Sequence, residues 1–259
     1  MIPKTIHYCW FGDNPKSKLN EKCIDSWKKI CPDYQIVEWN ETNVDIESCP
    51  IYVQEAYENR KWAFVSDYIR LKVVYENGGI YLDTDVELLK RPDELLGYDA
   101  YFGIDEEKRV ATGLGFGACS KHPLIKYLMD DYINAVFVNP DDTFDLTPCP
   151  NRNTAAIYSY FGVTNLDGLN NNKENIKFLP NEYLNPYNNS TDIMNITNNT
   201  VSIHWYSASW FTEDHWIYHR YVVRKAKWQR LLGNKCGEIA VKITYRLFFR
   251  NDRERLKKM

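Results

Sequence analysis

Asp83 and Asp85 are two carboxylates separated by one residue, and they directly follow the short apolar run 80–82. Gly78 and Gly79 end the preceding helical pattern, so the run is predicted to be a buried strand that delivers both acids to its carboxyl end. Ligands of open α/β sheets bind outside such strand ends. Carboxylates at positions i and i+2 can reach one hard cation, and Mn²⁺ or Mg²⁺ prefers oxygen ligands. A solvated acidic turn carries the same two acids, but the flanking residues favour a metal site.

A second polar group, Ser66, Asp67 and Arg70, lies on a predicted helix over residues 63–75. Asp67 and Arg70 are three residues apart and therefore share one helix face. The carboxylate could hold a ribose or a base edge, and the guanidinium could meet a phosphate or a sugar hydroxyl. The spacing alone favours a plain surface ion pair, worth ~0–1 kcal/mol.

Three more segments carry candidate binding groups. Trp10 ends the first predicted strand, where its indole could stack on a planar base. His204 ends a late predicted strand as a candidate third metal ligand, and Ser209 and Trp210 follow it as candidate diphosphate contacts. For Trp10 or His204 considered alone, a structural role in the packed interior is more frequent than a role in ligand binding. The glycine-rich segment 113–117 lacks the G-K-[ST] of a phosphate loop, so close packing beside a sugar and a plain loop both stay open.

The elements that must position these residues begin with a βαβ unit. A strand, a helix and a strand are predicted over 5–10, 17–30 and 34–39, from β-forming residues, helical apolar spacing and intervening turn residues. Residues 139–200 are expected to be loop-rich, with short strands at best. The remaining predictions are helices over 51–60, 63–75 and 123–136, a late strand over 201–205, and basic helices over 218–232 and 237–258.

The composition is that of a folded protein. Apolar residues make up 44% and charged residues 26% of the 259 positions, which excludes a disordered tail or a fibre. No apolar run reaches the ~18 residues of a spanning helix, and the N-terminus shows no secretory signal. The seven cysteines are odd in number and form no C-x-x-C, which argues against a zinc site or a disulfide framework. Scattered thiols suit a reducing compartment, so a cytoplasmic location is expected.

The charge is distributed unevenly along the chain. Residues 217–259 hold 13 Lys and Arg against 3 acidic residues, whereas the rest holds 19 against 32. An acidic body does not favour nucleic acid as a partner. The basic segment is interleaved with aromatic and aliphatic residues, which suits peripheral contact with an anionic membrane surface. A solvated helix that packs its apolar face on the body fits the same pattern.

Taken together, the motifs resemble glycosyltransferase family 32. Their order is H-x-x-W-F-G from residue 7, A-x-x-S-D-x-x-R from residue 63, G-G-I-Y-L-D-x-D from residue 78 and H-x-x-x-x-S-W from residue 204. That family has a D-x-D sugar-binding region and includes initiating α-mannosyltransferases of the fungal Golgi and many bacterial capsule and lipopolysaccharide enzymes. The same motifs are similar to the catalytic domain of large glucosylating bacterial toxins. The resemblance covers roughly residues 1–130 and 204–210.

The resemblance implies an α/β fold of the GT-A type, in which helices flank a Rossmann-like mixed sheet. The catalytic domain would span residues 1–216, with the donor-binding half over about 1–130, and residues 217–259 would form a basic helical extension. A nucleotide-sugar donor, a divalent metal (Mn²⁺ or Mg²⁺) and retention at the anomeric carbon are also implied.

The resemblance further implies roles for individual residues. Asp85 would bind the metal directly, Asp83 the metal and the ribose, and His204 would be the late metal ligand. The implied catalytic group is Asp67, Arg70, Asp83 and Asp85. Asp67 would hold the ribose or the donor sugar, and Arg70 the donor sugar or the diphosphate. The donor would also be contacted by the base-stacking Trp10, by Ser66, and by Ser209 and Trp210 closing over the diphosphate.

The expected activity is that of a metal-dependent retaining hexosyltransferase of bacterial capsule, lipopolysaccharide or exopolysaccharide synthesis. The donor expected is a UDP-hexose in preference to GDP-mannose. The acceptor expected is a saccharide, undecaprenyl-linked, at the inner face of the cell membrane. A host-directed effector glycosyltransferase shares all four motifs. A D-x-D phosphatase of the haloacid-dehalogenase type carries Thr or Val four positions after the first acid of the motif. It is disfavoured because Glu87 lies at that position here. A non-catalytic membrane module leaves the donor motifs unexplained.

Overall fold

The computed structural model describes residues 1–170, 174–207 and 213–256. The chain divides into two compact units. The first comprises residues 1–186 and 196–205, and the second comprises residues 187–195 and 206–259. Each unit is described separately.

The first unit is an α/β structure built on a mixed sheet of six strands. The strands of the unit, six of which form this sheet, are β1 Thr5–Cys9, β2 Gln35–Trp39, β3 Gly79–Tyr81, β4 Val86–Leu88, β5 Ala100–Gly103, β6 Phe116–Ala118, β7 Ile176–Leu179 and, later in the chain, β10 Ser202–His204. Its α-helices are α1 Lys18–Ile30, α2 Ile51–Glu58, α3 Trp62–Asn77, α4 Pro123–Asp130, α5 Cys149–Phe161, α6 Leu166–Asn170 and α7 Asn181–Leu184. Short 3₁₀ turns lie at Asp93–Gly97 and Thr112–Leu114.

The predicted βαβ opening is present at the N-terminus. Ser17 caps α1 by accepting a hydrogen bond from the backbone N–H of Asn20. In return, the side-chain oxygen of Asn20 accepts a hydrogen bond from the backbone N–H of Ser17. β1 then pairs in parallel with β2 on one side and with β3 on the other. The sheet order is β2-β1-β3-β6-β5-β7, and β4 pairs separately with β10. The carboxyl ends of β1 and β3 therefore meet at one edge of the sheet.

Helix α3 lies against this sheet with most of its residues buried. Val65, Ile69 and Val74 are fully enclosed in the main apolar core. Gly78 ends the helix with φ +68°, a backbone conformation that only glycine adopts readily. The chain then enters β3 at once, as predicted, and the polar residues of α3 reach the same strand end as the D-x-D acids.

The prediction that residues 139–200 are loop-rich, with short strands at best, allows β7 but is wrong for the helices α5, α6 and α7. α5 is a helix of 13 residues, and β7 is an edge strand of the main sheet, paired in parallel with β5. The first turn of α5 is Cys-Pro-Asn-Arg, and its only fully buried aliphatic side chain is Ile157, so the local apolar pattern is weak. Packing on α4 and on the sheet makes these segments regular. The predicted helix over 123–136 is shorter than expected and ends at Asp130.

The second unit consists of a small hairpin and helices. The hairpin strands are β8 Tyr187–Asn188 and β9 Ile193–Met194, and the helices are α8 Glu213–Leu232, α9 Asn234–Phe248 and α10 Arg250–Leu256. The predicted C-terminal basic helices are thus helical, with a break at Phe249. Across the described ranges, every helix is too short or too polar to cross a bilayer.

Candidate active site

The two acids of the D-x-D motif lie in the turn between β3 and β4. The backbone N–H of Val86 donates to the carbonyl of Asp83 at 3.0 Å and closes this turn. β4 pairs with β10 in antiparallel register, which places His204 opposite Val86. His204 Nε2 lies 3.2 Å from Asp85 Oδ1. Ligand atoms of Asp83, Asp85 and His204 all lie within 4.8 Å of one another, so one ion could contact all three side chains.

The electrostatics of this cluster suit a cation. Burial raises the pKa of Asp83 against the opposing charge of Arg70. Burial lowers the pKa of His204, but the carboxylates of Asp85 and Asp83 together outweigh it, so the net direction is upward. Each shift shows that negative charge is concentrated here and poorly solvated. Two carboxylates and one imidazole form a donor set that Mn²⁺ accepts, so the residues present fit the divalent metal that was expected.

A buried arginine connects the metal cluster to helix α3. Arg70 Nη2 lies 3.1 Å from Asp67 Oδ1 and 3.2 Å from Asp83 Oδ1. Its Nε donates to the carbonyl of Ser66 at 3.0 Å, and its side chain is only 4% exposed. The pair that spacing alone favoured as a surface ion pair is therefore an interior one, which positions a D-x-D carboxylate.

Two further contacts fix this group. The Tyr81 hydroxyl donates to Asp83 Oδ1 at 3.1 Å, so both Tyr81 and Arg70 hold the same carboxylate oxygen. Burial raises the pKa of Asp67 to about 6, with Arg70 opposing the shift. Asp67 is thus a desolvated carboxyl group held beside a guanidinium, in a position to accept a hydrogen bond from a ligand hydroxyl.

Residues from two distant segments complete the cluster, and one of them, Gly113, belongs to the glycine-rich segment for which close packing beside a sugar was left open. A Cβ added to Gly113 would lie 2.5 Å from Asp83 Oδ2, so the 3₁₀ turn passes directly over this carboxylate. Cys149, the first residue of α5, has its Sγ 3.7 Å from Arg70 Nη1. Asn153 Nδ2 donates to Thr112 Oγ1 at 3.0 Å and ties the turn to α5. Gly113 belongs to a segment that the sequence analysis singled out, whereas the contact of Cys149 with Arg70 arises from tertiary packing.

The predicted base-stacking residue lies at the end of β1. Trp10 is half-buried, its indole N–H donates to the carbonyl of Asn14 at 2.7 Å, and the Lys16 ammonium lies 5.1 Å from its ring centre. Gly12, with φ +89°, lets Trp62 pack against the backbone, since a Cβ there would be 2.5 Å from the Trp62 ring. The loop after β1 is therefore an aromatic surface.

The other predicted donor contacts are Ser66, Ser209 and Trp210. The Ser66 hydroxyl donates to the carbonyl of Trp62 at 2.9 Å, within α3. Ser209 and Trp210 lie outside the described residues. Trp205, next to His204, donates from Nε1 to Glu87 Oε2 at 2.9 Å and steadies the β4–β10 pair.

The sequence of this region matches a known family. Residues 17–102, which include α3 and the whole D-x-D motif, match the family described as glycosyltransferase sugar-binding region containing DXD motif. Over these residues the chain is similar to that family. The expected resemblance to glycosyltransferase family 32 is thereby confirmed.

Three relatives share part of the sequence. Inositol phosphoceramide mannosyltransferase 3 of Schizosaccharomyces pombe is 26% identical over 140 residues, which cover 48% of this chain and 35% of that protein. This chain therefore spans about a third of the length of that relative. An uncharacterized glycosyltransferase of Acanthamoeba polyphaga mimivirus is 26% identical over 203 residues, covering 73% and 74%. Subversion of eukaryotic traffic protein A of Legionella pneumophila is 26% identical over 111 residues, covering 33% and 17%.

The fold has a counterpart among solved structures. The PaToxG glycosyltransferase superposes with a TM-score of 0.53 at 20% identity, over 65% of this chain and 73% of that one. The mixed sheet flanked by helices is the expected GT-A arrangement, which is confirmed.

Proposed function

We propose that this DXD-containing protein is a metal-dependent glycosyltransferase that moves a hexose from a nucleotide-sugar to a saccharide acceptor, with retention at the anomeric carbon. The observation that carries the proposal is the meeting of Asp83, Asp85 and His204 within 4.8 Å, at the end of β3. The sugar-binding-region family of residues 17–102 supports the same class of reaction.

The proposed metal ligands are Asp83, Asp85 and His204, and the ion would neutralise the charge that builds on the departing diphosphate. Asp83 keeps Oδ2 for this purpose, because Arg70 and Tyr81 both hold its Oδ1. His204 brings a neutral ligand to the cluster from a separate strand.

The chain's other residues would bind and orient the donor. Asp67 would accept a hydrogen bond from a ribose or sugar hydroxyl, and Trp10 would stack on the base. Arg70 would act on the donor mainly through Asp83, because its Nε and Nη2 already contact the protein. Ser66 stays a proposed donor contact. Ser209 and Trp210 stay proposed contacts to the diphosphate, on the motif alone.

For the finer assignment we favour a UDP-hexose donor over GDP-mannose. The proposed acceptor is an undecaprenyl-linked saccharide in bacterial capsule, lipopolysaccharide or exopolysaccharide synthesis. The name of the fission-yeast relative gives a phosphoceramide as its acceptor, which supports a lipid-borne acceptor here. Peripheral contact with an anionic membrane through residues 217–259 belongs to the same proposal, on the strength of their basic charge.

A host-directed effector glycosyltransferase is the second candidate. The observation in its favour is the partial match to Subversion of eukaryotic traffic protein A, whose name describes action on a host. The two candidates share the donor site and differ in the acceptor. Transfer to purified host proteins, compared with transfer to lipid-linked saccharides, would separate them.

Calorimetric titration with UDP, GDP and their sugars, with Mn²⁺ and with chelator, tests the donor site. We expect one nucleotide to bind in a metal-dependent way. Asp85→Asn should abolish metal-dependent binding and transfer without unfolding the protein, whereas Asp45→Asn, an exposed acid outside the site, should leave both unchanged. Transfer by Asp85→Asn within a few-fold of wild type would contradict the metal assignment. Hydrolysis of p-nitrophenyl phosphate without nucleotide binding would replace the proposal with a phosphatase.

A further inference from the structure

Helix α9 of the second unit has one face seated on α8. Gly237, Val241 and Tyr245 are spaced four residues apart and are all buried. A Cβ added to Gly237 would lie 2.4 Å from the Cα of Gln229, so the two helices touch backbone to backbone there. This contact fixes which side of α9 faces away from α8.

The side of α9 that faces away from α8 carries an exposed apolar row. Ile239, Ile243 and Leu247 repeat every four residues and are 58%, 51% and 67% exposed. Phe248, the last residue of α9, is 76% exposed but lies about 100° round the helix from Leu247, outside this row. Single exposed aliphatic residues are ordinary on a protein surface, but a continuous row along one helix face marks an interaction surface.

A row of cations runs beside the apolar row. Lys242 and Arg246 are also four residues apart, and both are exposed. Lys242 has an exposed partner in Glu238 at 3.1 Å, whereas no carboxylate within the described residues pairs with Arg246. Among the residues that the structure describes, Arg253 of α10 pairs with its neighbour Glu254 alone, at 3.7 Å. Of the three cations Lys242, Arg246 and Arg253, the last two therefore have little or no charge compensation from described carboxylates.

The two rows border one concave groove that lies wholly within the second unit. Its volume is about 810 Å³, and its walls come from α8, α9 and α10. Tyr218, Ile243 and Leu256 contribute apolar surface, and Lys242, Arg246 and Arg253 contribute the charge. A groove with apolar walls and three cations matches an amphipathic anion, such as the phosphate headgroup and first methylenes of a phospholipid.

We propose that the second unit docks on an anionic phospholipid bilayer through this groove, with Lys242, Arg246 and Arg253 on the headgroup phosphates and Ile239, Ile243 and Leu247 in the interfacial layer. The inference rests on the membrane contact put forward with the proposed function, and it assigns that contact to one face of α9. The net charge of residues 217–259 supplies long-range attraction to such a surface. A polyanion such as nucleic acid would use the cations but would leave the apolar row unused.

Flotation of the full-length protein with vesicles tests the assignment. The vesicles are phosphatidylcholine with and without phosphatidylglycerol, and neither donor nor metal is added, so the outcome is independent of the transfer reaction. Lys242→Gln/Arg246→Gln removes two groove cations, and Lys18→Gln/Lys29→Gln removes two exposed cations of α1 as the matched control. Ile243→Ser/Leu247→Ser removes part of the apolar row, and Ile133→Ser/Ile196→Ser is its control among the exposed residues of the first unit.

We expect binding only to vesicles that contain phosphatidylglycerol. The groove-cation variant should bind about 25-fold more weakly, on the basis of about fivefold for each cation near an anionic surface. The serine variant should lose at least fivefold on vesicles while keeping its binding to heparin, and both controls should behave as wild type. Equal losses in the groove-cation variant and in its α1 control, or undiminished vesicle binding by the Ile243→Ser/Leu247→Ser variant, would overturn the proposal. Circular dichroism of each variant confirms that the helices persist.

Discussion

His204 and Asp85 come from segments far apart in the chain, yet His204 Nε2 lies 3.2 Å from Asp85 Oδ1. The short antiparallel pair of β4 and β10 produces this contact, with His204 opposite Val86. The backbone N–H of Trp205 adds a bond to the carbonyl of Asp85 at 3.0 Å. The imidazole is therefore held against the D-x-D turn by backbone pairing.

The pairing of β4 with β10 is made by backbone atoms. Replacing the His204 imidazole should therefore lower the affinity for the metal without disturbing the strands. We expect His204→Gln to weaken Mn²⁺ binding at least about tenfold. Electron paramagnetic resonance of free Mn²⁺ measures this directly, without any transfer assay. His215→Gln, in α8 of the second unit, is the control. Unchanged Mn²⁺ affinity in His204→Gln would remove His204 from the proposed ligand set.

Arg70 should contribute to stability because it lies between two buried carboxylates. Arg70→Gln leaves Asp67 and Asp83 without their cation, and we expect a loss of about 3–5 kcal/mol in the free energy of unfolding. Urea denaturation measures it. Arg91 is the matched control, since it also bridges two carboxylates, those of Asp33 and Asp93, but with 35% of its side chain exposed.

Removal of an exposed bridge costs little, so Arg91→Gln should lose much less stability than Arg70→Gln. Similar losses in the two variants would mean that burial of the Arg70 bridge adds nothing. Arg70→Lys, which keeps the charge but not the forked geometry, should recover only part of the Arg70→Gln loss.

The stability of the metal-free protein should depend on pH through Asp67. Burial raises the pKa of this carboxyl to about 6 in the folded state, against an ordinary value of 3.8. Between these two values the folded state binds more protons than the unfolded state, so stability falls as pH rises. Asp67→Asn lacks this group.

We therefore expect the stability of wild type relative to Asp67→Asn to decline from about pH 4 to about pH 6 and then level off. Thermal unfolding in chelator over this range provides the comparison. Parallel curves for the two proteins would show that Asp67 has an ordinary pKa.

Gly113 should be required for the position of Asp83. A Cβ at this position would lie 2.5 Å from Asp83 Oδ2 and 3.2 Å from Arg70 Nη1. Arg70 and Tyr81 hold this carboxylate, so it cannot swing away freely. We expect Gly113→Ala to lower Mn²⁺ affinity and transfer at least about tenfold, as for a displaced ligand.

The matched control for Gly113 is Gly97, where an added Cβ meets nothing within 4 Å. Gly97→Ala should keep the wild-type Mn²⁺ affinity. If Gly113→Ala also bound Mn²⁺ normally, the 3₁₀ turn would not constrain the D-x-D acid.

The amino-acid sequence by itself determined the βαβ opening, the helix that carries Asp67 and Arg70, and the strand that delivers Asp83 and Asp85. These predictions depend on short-range signals: β-forming residues in the first strands, apolar spacing in the helices, and the Gly78 stop before β3. The family match over residues 17–102 lies in this same part of the chain. Local signals sufficed because apolar spacing and a glycine stop act within a few residues of the chain.

Only the tertiary structure decided how the candidate site is enclosed. Nothing in the spacing of Asp67 and Arg70 distinguishes a surface pair from a buried one; packing of α3 against the sheet buries it. Likewise α5, read as loop, supplies Cys149 and Asn153 because its helix is stabilised by contacts with α4 and the 3₁₀ turn. Such contacts join residues distant in sequence, and their energy comes from burial that no local pattern records.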